Sequence, residues 1–306
     1  MTRAAKQLGI TQSAVSQTVK LLEAEFRTVL FDRDVRPARA TRAGDILRDM
    51  AQSLLSDARQ LAQVMRQTAH RDVALIRLGC VDSFAATLGP WLVRALSGTA
   101  RQLQMLSGLT PGLNTQLSAR EIDLAVCTEV PLGGAQIAPR LLFSESWVAI
   151  FPKDAKVGPL AVASDLRSIG EGLPLIRYSQ RSVIGQQIER FLQHVGVKAP
   201  QRFEFDASDP LLALVAAGIG WSITTPLCLW QSRAWVEQVQ IVPIPRARLG
   251  QREFFLMCRD AEWSTLADEI VDLTRTVLAD QLIPMLAAKM DLPPDAISIP
   301  TSHSSN

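Results

Sequence analysis

The stretch GITQSAVSQTVKLLEAEF, residues 9–26, decides the fold of the first part of this chain. The segment Thr2–Leu8 before it predicts a short helix, and Gly9 ends that helix as a left-handed glycine does at a helix C-terminus. Thr11 or Ser13 can cap a second helix. Two helices joined by a tight, glycine-containing turn are the layout of a helix-turn-helix.

The second helix has two different faces. Its aliphatic residues recur at spacings of four and three, as on the buried side of a helix, at Val15, Val19 and Leu22. A polar face lies roughly 120° away by the 3.6-residue period, and it consists of Gln12, Ser13, Ser16, Gln17 and Lys20. Such a face either contacts a macromolecule or is merely solvated.

An arginine-rich segment follows the second helix. The stretch VLFDRDVRPARATRAG, residues 29–44, combines a short apolar strand with an arginine- and proline-rich turn, as in a winged helix-turn-helix. Six arginines lie in residues 27–48, and four aspartates in residues 32–49 partly offset them. The net charge of the whole chain is only +2, so a nucleic-acid surface has to come from this local cluster.

A long helical pattern covers residues 41–70. Three leucines recur at intervals of seven, with two more apolar residues at the offset position: Leu47, Leu54 and Leu61, then Met50 and Val64. This short heptad stripe favours a helix that pairs with a second copy of the chain. The alternative is an amphipathic helix packed on its own domain.

The rest of the chain alternates strand-like and helical segments. Short runs such as VALIRLGCV, LQMLSG, IDLAVCT and ESWVAIFP are separated by helical stretches, which is typical of a parallel α/β sheet. The pattern restarts at LPLIRYS, so two similar lobes are predicted, with the chain crossing between them near Phe151 and again near Arg252–Arg259. The tail is polar and proline-containing, and we expect it to be disordered.

Several classes of protein are disfavoured by what the chain lacks. No apolar stretch resembles a signal peptide or a membrane span. The four cysteines are far apart, without a CxxC spacing, which favours reduced, buried thiols in the cytoplasm over a redox-sensing thiol. With three histidines and no HExxH, GxSxG, P-loop or complete GxGxxG, we expect neither a metal site, a cofactor nor an enzyme.

The order of these parts resembles a LysR-type transcriptional regulator. The stretch TRAAKQLGITQSAVSQTVKLLEAEF, followed by LFDR and TRAG, is similar to the DNA-binding signature of that family. The segments GCVDSFAATLGPWL and AAGIGWSITTP resemble its effector-binding domain. The resemblance implies an α/β fold class with a winged helix-turn-helix head, a long linker helix and a two-lobed effector domain like that of periplasmic binding proteins.

Domain boundaries follow from this interpretation. We expect the head at 1–43, the linker and dimerisation helix at 44–71, the effector-binding domain at 72–290 and a disordered tail at 291–306. Within the effector domain, lobe 1 is predicted at about 74–151 and 259–290, and lobe 2 at about 152–258. The partners implied are double-stranded DNA, a small-molecule effector, and further copies of the chain as a dimer through 44–71 and a tetramer of dimers, with no membrane.

The resemblance also suggests which residues contact DNA. A recognition helix enters the major groove with its N-terminal residues nearest the base edges, so Gln12 can bond adenine while Ser13, Ser16 and Gln17 contact bases or phosphates. Four basic residues are suited to phosphates, which position the protein without specifying sequence: Lys20, Arg33, Arg36 and Arg42.

The effector is expected in the cleft between the lobes. In open α/β folds, ligands lie at the carboxyl ends of strands, where helix N-termini point, and converging amide and hydroxyl groups suit a carboxylate-bearing ligand. The candidate contact residues follow predicted strands: Ser83, Phe84, Thr110, Ser179, Asp206 and Thr224. Each hydroxyl can instead be an ordinary helix cap.

Two departures from the family pattern bear on DNA binding. The family has a further helix of about twenty residues before the position of Met1, and its absence is expected to expose the apolar sides of Ala5, Leu8, Val15 and Leu22. Arg27 lies where the family has a glycine, and a left-handed arginine there costs about 1 kcal/mol. Two alternatives to the regulator therefore remain: a ligand-binding dimer that has lost DNA binding, and a solute-binding receptor.

Overall fold

The structure is a computed structural model of the 306-residue chain. It describes residues 4–5, 9–32, 38–51, 54, 75–131, 138–169, 172–245, 247, 249–258 and 263–300. The chain divides into two compact units, Met1–Asp72 with Pro300–Asn306, and Val73–Ile299.

The first unit contains the predicted turn and second helix. Gly9 has a φ of 64°, as expected of a glycine that ends a helix. Helix α1 is Gln12–Glu25, and its cap is Thr11, whose Oγ1 accepts a hydrogen bond from the Ala14 N–H at 3.2 Å. Two short antiparallel strands follow, β1 (Phe31–Asp32) and β2 (Arg39–Ala40), as a wing requires.

The start of the next helix, α2 (residues 42–51), is joined tightly to the chain before β1. Thr41 Oγ1 donates to the Val29 carbonyl at 2.6 Å and accepts from the Gly44 N–H at 3.1 Å. A Cβ at position 44 would lie 2.2 Å from the Leu30 carbonyl oxygen, so only glycine fits this approach. The TRAG segment is therefore a helix start built against the wing. Most of the predicted linker helix, 55–71, lies outside the described residues.

The apolar residues of the head are more covered than expected. Ala5 is only 4% exposed, so the expectation that its side chain is uncovered is wrong. Val15 and Leu22 are half-buried, and Leu8 lies outside the described residues.

The second unit contains two lobes. Lobe 1 is built on a six-stranded sheet in the order β13-β6-β12-β5-β3-β4. Its strands are β3 (Leu75–Cys80), β4 (Gln102–Ser107), β5 (Leu124–Cys127), β6 (Ala138–Ser146), β12 (Gln251–Cys258) and β13 (Ile297–Ser298). Its helices are α3 (Asp82–Thr87), α4 (Gly89–Leu96), α5 (Thr110–Ser118), α10 (Ser264–Val277) and α11 (Ile283–Met290), with a π-helical turn, Leu278–Leu282, between the last two.

Lobe 2 contains two smaller sheets. One has the order β10-β7-β11 and the other pairs β8 with β9. The strands are β7 (Val148–Pro152), β8 (Ile176–Tyr178), β9 (Phe203–Phe205), β10 (Ser222–Thr224) and β11 (Val239–Pro243). The helices are α6 (Leu166–Ile169), α7 (Val183–Val195), α8 (Ser208–Ala216) and α9 (Pro226–Gln231), and short 3-10 segments cover Lys153–Ala155, Ala163–Asp165 and Arg233–Gln238.

Three expectations about this unit are wrong in detail. The chain leaves lobe 1 at Trp147, not near Phe151, because β7 pairs with β10 and β11 of lobe 2. It returns before β12, not within 252–259, because β12 pairs with β5 and β6 of lobe 1. The large sheet is also mixed rather than parallel, since β12 runs antiparallel to both neighbours.

The segment 291–299 is ordered against lobe 1, contrary to the predicted disorder of the tail. Strand β13 pairs with β6, and the Ser146 N–H donates to the Ala296 carbonyl at 2.8 Å. The cause is burial of apolar side chains within a proline-containing segment, namely Leu292, Ala296 and Ile297. Residues 301–306 lie outside the described part.

Within the described residues, we find no helix with the length and apolar character needed to cross a membrane.

Arg27, at the end of α1, has a φ of 47°, the left-handed conformation anticipated for this position. We expect Arg27→Gly to stabilise the first unit by about 1 kcal/mol, because glycine adopts this conformation without a Cβ clash. All six tryptophans lie in residues 73–299, so unfolding of the head is best followed by circular dichroism in urea. Arg27→Ala, which keeps the strain, is the matched control. Equal stabilisation by both variants would contradict this account.

Candidate functional site

A cavity of about 480 Å³, including its open mouth, lies between the two lobes of the second unit. Residues of both lobes line it: Val81, Asp82, Ser83, Gly108, Leu109, Thr110 and Thr128 from the first part of lobe 1, Arg252 from β12, and Tyr178, Ser182, Val183, Ile184, Asp206, Ala207, Ser208, Cys228 and Gln231 from lobe 2. The first residues of α3, α5, α7 and α8 therefore surround one space.

The structure brings together only some of the residues expected at this site. Ser83, Thr110 and Asp206 line the cavity. Phe84 and Thr224 are fully buried behind its wall, and Ser179 donates a hydrogen bond to the Asp206 carboxylate. Their contact with an effector stays a prediction.

Three of the helices that begin at the cavity, α3, α5 and α8, have no side-chain cap among the described residues, and α5 and α8 are the two longer ones. The N-cap residues of α5 and α8 are Leu109 and Ala207, and neither offers a side-chain acceptor. Helix α7 differs, because Ser182 Oγ accepts from the Gly185 N–H at 3.1 Å. The first N–H groups of a helix need acceptors, and they carry about half a positive charge. The ends of α5 and α8 are thus available to an anionic group.

A buried ion pair forms the floor of the cavity. Arg252 and Glu145 face each other across β12 and β6, and Arg252 Nη2 and Nε lie 2.5 Å and 2.9 Å from Glu145 Oε1. Glu145 Oε2 accepts from the Leu227 N–H at 2.9 Å, and Arg252 Nη2 also lies 3.1 Å from Ser83 Oγ and 3.2 Å from Thr225 Oγ1. The pair therefore joins α3 of lobe 1 to the start of α9 in lobe 2.

One nitrogen of this guanidinium, Nη1, has no hydrogen bond to the residues that the structure describes. Burial alone would lower the pKa of Arg252, and the Glu145 carboxylate raises it above the ordinary arginine value, so the side chain stays charged. Arg252 is 3% exposed and lines the cavity, yet no hydrogen bond among the described residues uses its Nη1. A ligand in the cavity can accept from this group.

Tyr178 forms part of the wall from the lobe 2 side. Its hydroxyl donates to Ser208 Oγ at 3.0 Å and lies 2.8 Å from Thr224 Oγ1. Burial raises the pKa of Tyr178 well above the ordinary tyrosine value, so the phenol stays neutral. The network holds the ring in place beside the start of α8.

The sequence analysis did not predict Arg252 or Glu145 as residues of the site. Each is a charged residue at the start of a mostly apolar segment, Arg252 beside Glu253 in REFFLMC and Glu145 in ESWVAIF, and that is the available signal. Charged residues that flank apolar strands are common at sheet ends, so the pattern alone does not identify a site. Among the described residues, no three His, Cys, Asp or Glu side chains are grouped as a metal site requires.

The candidate DNA-contacting residues lie on the surface of the first unit where they are described. Gln12, Ser13, Gln17, Lys20 and Arg42 are exposed, and Ser16 is half-buried. Arg33 and Arg36 lie outside the described residues.

A winged helix-turn-helix head followed by a two-lobed domain with a polar cleft defines an effector-controlled, DNA-binding transcriptional regulator. Two family models match the chain: the LysR substrate binding domain over residues 69–279, and the bacterial regulatory helix-turn-helix protein, lysR family, over residues 1–45. The chain belongs to the LysR family of transcriptional regulators. This settles the fold class as predicted.

Individual proteins similar to the chain agree with the family. The HTH-type transcriptional regulator YusT of Bacillus subtilis is 26% identical over 274 residues, covering 89% of each chain. A hydrogen-peroxide-bound mutant of OxyR from Corynebacterium glutamicum has a TM-score of 0.61 at 18% identity, over 95% of this chain and 91% of that one. Full-length CbnR in complex with its target DNA has a TM-score of 0.52 at 20% identity, over 90% and 92%.

Removing one member of the buried pair leaves the other charge unpaired. We expect Arg252→Met or Glu145→Gln alone to lower the free energy of unfolding of the second unit by about 3–5 kcal/mol. The double variant should cost less than the sum, with a coupling of about 1–3 kcal/mol. Tryptophan fluorescence in urea reports this, and Arg101→Met, at an exposed arginine, is the control. Additive single effects would contradict the coupling.

Two cysteines near the cavity should be inert in the native state. Burial raises the pKa of Cys80 and of Cys127 to about 12, so neither forms thiolate at neutral pH. We expect iodoacetamide at pH 8 to leave both unlabelled in the folded protein and to modify all four cysteines in guanidinium. Mass spectrometry of the digested chain identifies the sites. Labelling of Cys80 at the rate of a free thiol would contradict the burial argument.

Proposed function

We propose that the polar face of α1 lies in the major groove of DNA. Its side chains point away from the half-buried Val15, Val19 and Leu22, and the helix is anchored at both ends. Thr11 caps the start of α1, and near its end Glu23 Oε1 accepts from the Leu30 N–H at 2.9 Å. A firmly held helix with an exposed polar face suits base contacts by Gln12, Ser13, Ser16 and Gln17.

Basic residues supply the contacts to phosphate in this proposal. Lys20 and Arg42 lie at exposed positions of α1 and at the start of α2. Arg33 and Arg36, which lie outside the described residues, are assigned the same phosphate-binding role. Phosphate contacts position the head, whereas the base contacts select sequence.

The chain acts as a homodimer through residues 44–71, and dimers assemble as tetramers. The support is an uncovered apolar stripe at the start of that segment, since Ile46, Met50 and Leu54 are 53%, 63% and 69% exposed at a spacing of four residues. Large apolar residues on one helix face favour burial against a second helix. Regulation in this form takes place in the cytoplasm and involves no catalysis.

A small, carboxylate-bearing effector binds between the lobes. The observation that supports this most strongly is the uncapped ends of α5 and α8 at one cavity that Arg252 also lines, with its Nη1 making no hydrogen bond to the described residues. Amide N–H groups and a guanidinium are the donors that proteins use for carboxylates. An effector that prefers one arrangement of the lobes shifts the population toward it and so alters DNA binding.

Fluorescence anisotropy with DNA from upstream of the chain's own coding region tests the regulator. We expect tighter binding than to scrambled DNA. Lys20→Ala should weaken binding to both DNAs and reduce the slope of log K against log salt by about 1. Gln12→Ala should weaken only the specific complex, by about 1–3 kcal/mol.

Arg101→Ala removes an exposed charge from the second unit and is the control. Equal affinity for both DNAs at every salt concentration would refute sequence-specific binding.

A further inference from the structure

We propose that the effector is a small zwitterion of the amino-acid type, with an ammonium group as well as a carboxylate. This rests on the proposed function, in which a small effector occupies the cleft between the lobes. The charged residues that line the cavity indicate this class of effector.

Two carboxylates lie on opposite sides of the cavity. Asp82 comes from lobe 1 and Asp206 from lobe 2, and with Arg252 they are the charged residues that line it. Asp82 has no hydrogen bond or ion pair within the described chain. Asp206 accepts from Ser179, and its ion pair with Arg181 at 3.2 Å is solvent-exposed, with the arginine side chain 78% accessible. Exposed pairs are weak, so both carboxylates can attract a cation.

Neither aspartate is used as a helix cap. The N-cap residues of α3 and α8 are Val81 and Ala207, and among the described residues no side chain caps either helix. Asp82 lies in the first turn of α3, where a carboxylate is favourable at the positive end of the helix, and Asp206 accepts from Ser179. Both carboxylates nevertheless line the cavity and remain available to a cation.

The floor of the cavity cannot balance a carboxylate by itself. Arg252 is buried and already paired with Glu145, so the floor is neutral before an effector binds. A simple carboxylate on Arg252 Nη1 would add one negative charge close to Asp82 and Asp206. Burying an uncompensated charge is costly, whereas an effector with its own ammonium group leaves the local charge unchanged.

A simple amine fits no better. The nine-residue helices α5 and α8 direct the positive ends of their dipoles at the cavity, and Arg252, whose charge is balanced by Glu145, presents N–H donors rather than acceptors there. These groups repel a cation at the floor, while the aspartates attract it at the rim. A molecule that has a carboxylate can place it at the floor of the cavity and, if it also has an ammonium group, can place that group at the two aspartates.

Matched ligands separate these possibilities. We would measure dissociation constants by calorimetry and thermal shift for the full 306-residue chain, with the twenty amino acids, the deamino acid of each and the corresponding amine. We expect at least one amino acid to bind at least about tenfold tighter than its acid and its amine, since each lost charge–charge contact costs about 1.4 kcal/mol.

Substitutions at the rim assign the ammonium contact. Asp82→Asn and Asp206→Asn should each weaken binding of that amino acid several-fold without weakening binding of its deamino acid. Asp154→Asn, at an exposed aspartate of lobe 2 that does not line the cavity, is the matched control. The thermal unfolding of each variant without ligand verifies that it is folded.

The other outcomes overturn the inference in distinguishable ways. If deamino acids bind as tightly as amino acids, and the aspartate variants behave like the control, the zwitterion is wrong and the carboxylate effector stands. If amines alone bind, the carboxylate is wrong as well. If nothing in the panel binds, the inference falls, while DNA binding still tests the regulator independently.

Discussion

The buried pair of Glu145 and Arg252 is the interaction on which the second unit depends. It lies where the chain passes between lobes, and its hydrogen bonds reach Ser83 in lobe 1 and Thr225 and Leu227 in lobe 2. Because both charges are removed from water, each requires the other. Any change in the relative position of the lobes has to rearrange these bonds, and the same side chain lines the cavity. In the effector binding proposed above, ligand contact and lobe geometry are therefore coupled through Arg252.

The chemistry of the cleft results from what its helices lack. Serine and threonine cap α7 and α9 in the ordinary way, through Ser182 and Thr225. Among the described residues, helices α5 and α8 begin at the cavity without such a cap, and the first N–H groups of a helix need acceptors. In the zwitterion proposed above, the two aspartates limit which acceptor is tolerated. The proposed pocket then discriminates by the charge distribution of the ligand as well as by its size.

The sequence was sufficient to predict those features that depend on only a few consecutive residues. The left-handed Gly9 and the cap of α1 follow from backbone preferences over a few residues, and the structure confirms both. The left-handed Arg27 was implied by the family resemblance, which has a glycine at this position, and the structure confirms it as well. The ordered segment 291–299 did not follow, because its polarity and prolines indicate disorder unless a partner strand is known. Its Leu292 and Ile297 are buried only because β6 offers an open edge. The composition of a segment is a property of that segment alone, whereas its order depends on the strands and side chains against which it packs.

The sequence by itself determined the family, the head with its polar helix face, and five strand ends from which a cleft could be built. Hydrophobic periodicity and motif spacing depend on residues that are close along the chain, so they can be recognised from the sequence alone. Only the tertiary structure decided that β12 belongs to lobe 1, that Arg252 meets Glu145 across 107 residues, and that two aspartates face one cavity. The physical reason is that strand partners and buried charge pairs are chosen by packing between distant segments, and no single stretch encodes that choice.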